Sequence, residues 1–398
     1  MSPPTTPSHR DYRIDWLRGL ALATIFINHM PGNRFEFWTP RNFGFSDSAE
    51  IFVLLAGVAA GLAFFKKFER GDAFGASRKA VRRAGVLYGA HLLSTVMVIA
   101  MFSVVAFALG NSDVYDLIDI RPLIEQPLPG IIGVMSGGLQ LGYFNILPMY
   151  VVLLLLLPAF LWLARIDVKL MLGASMALYL VANVGKVNMP GFPDASGWYF
   201  NPLAWQLIFA VGVALGIMRQ RGHYVSWHPL AGTVAALYVV YAFVWVVWSF
   251  DGGVSVGLLP EWVDTLAKSN LPLARVAHVL AMAYLLVHSP IWPALQRLGR
   301  EHWLIKPWRL MGQYSLPVFV FGSLLSMAGY LTLVHTGHNL PLEIALTVGG
   351  LAAMVGLASA KDTGIFSAIR LPVRRGAHSN VVAHELIDQP DETTVPLR

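Results

Sequence analysis

The sequence predicts an all-α integral membrane protein, a single bundle of about ten transmembrane helices with both termini on the cytoplasmic side. Three observations carry that prediction. Hydrophobic residues make up 56% of the chain and charged residues 13%, with a mean hydropathy of +0.57; a soluble domain holds about 25% charged residues. Apolar runs of bilayer length recur at 14–30, 47–65, 84–109, 142–164, 168–185, 203–218, 229–250, 273–294, 312–334 and 341–360. The basic residues then sort by side. With the N-terminus inside, the outer segments hold only Arg34, Arg41, Arg121, Lys186, Lys268 and Arg275, Arg18 lies within a span, and the other 22 of 29 Lys and Arg lie inside.

The first span follows a polar, Pro-rich stretch and ends at His29-Met-Pro-Gly32, with no small-residue cleavage site, so it reads as a retained span. It carries Asp15, Arg18 and His29. Ionisable groups in hydrocarbon are costly and normally face a protein interior or a watered path. Arg18 and His29 are separated by about three turns, roughly 16 Å of rise, and fall on nearly one face; Asp15 lies about 40° away. A neutral His29 near the outer end suits a general base as well as a packing histidine. Arg18, near the inner end, suits a phosphate-bearing ligand as well as a local pair with Asp15.

The second span opens with Asn42-Phe-Gly-Phe-Ser-Asp-Ser-Ala-Glu50. Ser46 is the expected N-cap and Asp47 a first-turn acid. Asp47 and Glu50 share one face at the level of His29, where a carboxylate could orient the imidazole. Gly57-Val-Ala-Ala-Gly61 predicts a close helix contact, with the first span as a candidate neighbour. The inner loop 66–84 is strongly basic, with Lys79, Arg82 and Arg83 at its end; orientation and anionic lipid explain part of this, and a multiply phosphorylated ligand would explain the rest. His91, deep in the third span, fits either a core or a pathway position.

The outer segment 111–130 is acidic and reads as a loop. The fourth span begins near Tyr143, Asn145 and Tyr150, the short fifth and sixth follow, and Asn201-Pro-Leu-Ala-Trp-Gln206 brings polar groups to an outer helix end. The seventh and eighth are plain apolar runs, and Gly312-Gln-Tyr-Ser-Leu-Pro317 opens the ninth from inside. His335 and His338 lie in a short outer loop with no acid at ligand spacing, so no metal is expected. The chain thus divides into an inner tail 1–13, a membrane domain 14–362 and an inner tail 363–398, of which 376–398 reads as disordered.

Several function classes drop out. The chain has no Cys, which excludes a thiol nucleophile, thiolate metal sites and disulfides. The net charge of +6 follows from topology and does not indicate nucleic acid. No Walker A loop, Gly-x-Ser-x-Gly elbow or dinucleotide fingerprint occurs, and no repeat suggests an inverted-repeat transporter.

Tyr12-Arg-Ile-Asp-Trp-Leu-Arg-Gly19 with His29-Met-Pro-Gly32, and the run from Asn42 to Gly57, resemble the OpgC family. Shorter matches at 142–150, 201–206 and 312–317 extend the resemblance over roughly residues 10–360. It implies a ten-span inner-membrane protein that succinylates osmoregulated periplasmic glucans, alongside membrane lipids and glucan-synthesis proteins. More distantly, the chain resembles the transmembrane acyltransferase superfamily, which draws on cytoplasmic acyl-CoA. That resemblance implies succinyl-CoA as donor without a metal, and a donor site at Arg18, Lys79, Arg82 and Arg83. His29 would be catalytic with Asp47 and Glu50, and the acceptor would meet Asn42, Tyr143, Asn145, Asn201 and Gln206. Many superfamily members carry a late His where this chain reads Leu316-Pro-Val-Phe-Val-Phe-Gly322. Two other functions fit the polar stripe: acylation of a different extracytoplasmic glycan, and a carrier without catalysis.

Overall fold

A computed structural model describes residues 11–193, 197–249 and 268–365. Most of the two predicted tails, including the disorder expected at 376–398, lies outside the described residues, as does the last residue of the seventh predicted span. Among the described residues every regular element is a helix.

The helices are α1 (Tyr12–Asn28), α2 (Ser48–Glu69), α3 (Ala73–Leu109), α4 (Arg121–Glu125), α5 (Pro127–Ser136), α6 (Ile146–Ile166) and α7 (Val168–Val184). They continue as α8 (Pro202–Gln220), α9 (Pro229–Ser249), α10 (Leu273–His288), α11 (Ile291–Leu298), α12 (Lys306–Gln313), α13 (Ser315–Thr336) and α14 (Leu340–Asp362). Each of the ten predicted segments is helical. By length and composition seven of the described helices can cross a membrane, or eight if the α10–α11 pair, bent by 57°, is one span. α1 and α7 have 17 residues each, about 26 Å of rise against a hydrocarbon core of about 30 Å.

Several boundaries moved for identifiable reasons. The basic loop expected at 66–84 is mostly helix. α2 runs to Glu69, Asp72 caps α3 by accepting from the Gly75 N–H at 2.9 Å, and Arg78–Arg83 form the second and third turns of α3. Lys, Arg and Ala are strong helix formers, so a basic run need not break the helix. The outer segment after α3 is also not a plain loop. It folds as a 3-10 turn at Ser112–Ile118 followed by α4 and α5, and it packs Val114, Ile118 and Val134 against Val98, Phe102 and Met327. The single span expected at 273–294 breaks at Ser289-Pro290, where proline lacks the N–H that would continue the ladder.

Two glycine contacts fix the frame around the site. Gly57 and Gly61 of α2 face Gly212 and Gly216 of α8, not α1; a Cβ on Gly57 would lie 2.2 Å from the Phe209 carbonyl oxygen, and one on Gly212 would lie 2.3 Å from that of Leu54. Paired small-xxx-small segments bring the two backbones together. Gly312 of α12 lies against α1, where its Cβ would sit 1.8 Å from the Asp15 carbonyl oxygen. The core between these contacts holds Phe26, Phe65, Trp205 and Phe209. α9 and α14 turn Leu237, Val240, Ile344 and Val348 outward, as lipid contact requires.

Candidate active site

At one end of the bundle, α1, α2, α6 and α10 enclose a cavity of about 550 Å³. His29, Asp47, Tyr143 and Asn145 line it, four of the predicted site residues. Arg41, Tyr199, Lys268 and Arg275 join them. His29 is the C-cap of α1, just beyond its last turn, and its ring stacks on Tyr143 with centroids 4.5 Å apart and planes 18° from parallel. Tyr143 follows Gly142, whose φ of 50° holds the turn into α6. The His29 Nδ1 is buried without a hydrogen-bond partner among the described residues. Lys268 lines the same cavity as the ring.

The carboxylates do not orient this ring, contrary to the triad expected from sequence. Asp47, rather than Ser46, is the N-cap of α2; its Oδ1 accepts from the Ala49 N–H at 2.8 Å, and Glu50 Oε2 accepts from the Asp47 N–H at 2.8 Å. That reciprocal capping box occupies one oxygen of each acid. The other oxygens belong to cations. Glu50 Oε1 accepts from Arg275 Nε at 2.6 Å, while Asp47 Oδ2 pairs with Lys268 Nζ and lies 3.7 Å from an Arg275 Nη2. Glu50 is fully buried and does not reach the cavity wall.

Three predicted acceptor residues sit elsewhere, spent on the scaffold. Asn201 caps α8, accepting from the Leu203 N–H at 3.1 Å, and its Nδ2 donates to Asn270 Oδ1 at 3.0 Å while its N–H donates to the Ser269 carbonyl at 3.0 Å. With Trp205 Nε1 donating to the Lys268 carbonyl at 2.9 Å, this pins the turn that presents Lys268. Gln206 ties α8 to α7 through Ser175, at 2.6 Å and 2.8 Å. Asn42 Nδ2 donates to the Glu36 carbonyl at 2.6 Å, closing the turn that presents Arg41.

A second, narrow pocket of about 20 Å³, room for roughly one water, lies further along α1. Arg18, Arg83, Tyr150 and Ser315 contribute its polar groups, with Arg18 Nη2 donating to Ser315 Oγ at 2.8 Å. Ile146 and Phe319 line both this pocket and the larger cavity, so the two spaces share a wall. Lys79 and Arg82 line neither; both are exposed on α3, Lys79 with its Nζ 5.5 Å from the Phe64 ring centre. Asp15 faces a third space with Arg219, Arg309 and Gln313. His91 is buried with both ring nitrogens unpartnered among the described residues and lines none of these spaces. His335 bonds the Leu331 carbonyl at 2.8 Å, whereas His338 lies 3.6 Å from Glu343, so the two histidines diverge.

Sequence reasoning missed Arg41, Lys268 and Arg275 as site residues. The signal was present, because all three were exceptions to the positive-inside pattern.

Neither curated proteins nor solved structures give a match to this chain. The family model described as OpgC protein matches residues 10–363, which include α1 to α14 almost in full, and the chain therefore belongs to the OpgC family.

Proposed function

We propose that this protein is a ten-span inner-membrane O-acyltransferase, with both termini in the cytoplasm, that moves a succinyl group from cytoplasmic succinyl-CoA to hydroxyls of osmoregulated periplasmic glucans. The observation that carries the reading is the pair of spaces along α1. A pocket with Arg18 and Arg83 and a cavity with His29 share Ile146 and Phe319 in their walls. Transfer between a donor on one side of a membrane and an acceptor on the other needs two such spaces and a short barrier between them. A carrier would need the barrier but not an imidazole stacked in place beside fixed cations.

In this mechanism the donor phosphates meet Arg83 and Arg18, and the acyl thioester reaches the cavity past Ile146 and Phe319. A glucan hydroxyl enters from the periplasm and gives its proton to His29 as its oxygen attacks the thioester carbon. The C–S bond breaks, the succinyl ester forms, and the proton passes from His29 to the departing CoA sulfur. Stacking on Tyr143 fixes the ring plane, so no carboxylate is needed to hold it. The positive cluster of Lys268 and Arg275 favours the oxyanion that develops on the thioester oxygen.

The test is mass spectrometry of periplasmic glucans from cells lacking the protein, then supplied with the wild type or His29→Ala. The wild type restores the mass increment of succinyl esters. His29→Ala, inserted at normal abundance, lowers transfer by about 10²–10⁴-fold, the usual contribution of a general base. Normal succinylation by His29→Ala overturns the mechanism, and unchanged glucans with the wild type overturn the function.

A further inference from the structure

The cavity around His29 holds more positive charge than its own acids balance. Arg41, Lys268 and Arg275 line it against Asp47, and Glu50 stands behind Arg275. Two of these cations are committed: Arg275 is buried and shared between both carboxylates, and Lys268 is bound to Asp47. Arg41 is held differently. Its only ion pair among the described residues is a 3.5 Å contact with Glu36 Oε2, its side chain is 46% exposed, and Glu36 does not line the cavity.

The backbone beneath Arg41 is fixed although its tip is open. The residue sits in the 3-10 turn Pro40–Asn42. Thr39 Oγ1 donates to Asn28 Oδ1 at 2.7 Å and ties that turn to the end of α1, one residue before His29, while Asn42 closes it on the Glu36 carbonyl. Arg41 lines the same cavity as His29 and Tyr143, which puts its guanidinium within the space where the acyl group would react. A planar, permanently charged fork on a pinned turn is suited to a carboxylate, which it binds through two parallel hydrogen bonds.

We propose that Arg41 is the subsite for the free carboxylate of a dicarboxylic acyl group, and that it selects a succinyl-type donor over neutral acyl donors. This rests on the acyltransferase reading and deepens it. A carboxylate entering the cavity must exchange its water for protein partners, and without a matching cation that exchange is strongly unfavourable. The single surplus charge supplies the match. A neutral acyl chain gains nothing from it and leaves the guanidinium partly desolvated, so the same residue disfavours it.

The experiment uses the full-length protein in nanodiscs with a neutral β-glucan oligosaccharide as acceptor. Succinyl-CoA and butyryl-CoA, equal in chain length and differing in the terminal charge, are compared as donors. In Arg41→Met the ratio of kcat/KM for succinyl over butyryl falls at least tenfold from its wild-type value, and Arg41→Lys recovers part of it. An unchanged ratio, whether both donors weaken together or neither does, overturns the subsite while leaving the acyltransferase reading intact. Absence of transfer from any acyl-CoA by the wild type overturns both.

Discussion

The two spaces that share Ile146 and Phe319 are built on opposite principles. The cavity around His29 is roomy and electrostatically preset. Its polar groups are held by a capping box, a buried ion pair and a ring stack before any substrate arrives. The pocket around Arg18 is narrow and mostly apolar, with Arg83 exposed at its edge and Arg18 tied to Ser315. A group-transfer site needs rigid charges where the bond changes hands and needs only passage where the donor enters. A pocket of about 20 Å³ cannot hold a pantetheine arm, so under the proposed reaction this space would have to widen for the donor. Under the proposed reaction, the difference would put chemistry in the cavity around His29 and gating in the pocket around Arg18.

The strongest way to break this comparison is at Glu50. Replacing it by Ala leaves Arg275 buried with half of its carboxylate support gone, and it opens the capping box of α2. Loss of one partner of a buried pair costs about 3–5 kcal/mol. The expected result is a clear fall in the thermal unfolding midpoint in detergent; an unmoved midpoint would mean that the outer charges are not preset by this pair. A smaller effect is expected at the shared wall. Phe319→Trp adds bulk where the two spaces meet, and overpacking of a filled site costs about 1–3 kcal/mol. Succinyl transfer should fall about tenfold or more while binding of the glucan acceptor holds, as read by steady-state kinetics with each substrate varied. Equal losses for donor and acceptor would mean that Phe319 does not act selectively on the donor's path. The smallest effect separates neighbouring cations on α3. Arg83→Ala should raise the KM for the donor about fivefold, in line with a net loss of about 1 kcal/mol for one hydrogen bond at an exposed side chain, whereas Arg82→Ala should stay within about twofold, as an exposed surface change does. Similar shifts in the two variants would show that the basic run acts through its summed charge and not through the pocket.

How much of this was legible from sequence differs between the two spaces. His29, Asp47, Tyr143 and Asn145 were all read as site residues, because ionisable or polar groups at the end of an apolar run stand out against their surroundings. Asn42, Asn201 and Gln206 stood out in the same way, yet their hydrogen bonds go to turns and to a neighbouring helix. A polar side chain in a membrane segment announces that it has a partner, and sequence cannot say whether that partner is ligand or backbone. Arg41, Lys268 and Arg275 were seen and set aside as exceptions to the charge rule. Read as outer cations needing a reason to be there, they would have led to the site.

The sequence by itself determined the helical class, the place of the chain in its family and the stripe joining Arg18 to His29. Those follow from composition and helical period, which are local properties of the chain. Only the tertiary structure decided that Glu50 answers Arg275 and not His29, that Gly57 meets Gly212 on α8, and that Tyr143 stacks on the His29 ring. Each of these joins residues separated by more than a hundred positions. Which of several available partners a buried charge or a bare glycine takes depends on how the helices pack, and no local pattern encodes that choice.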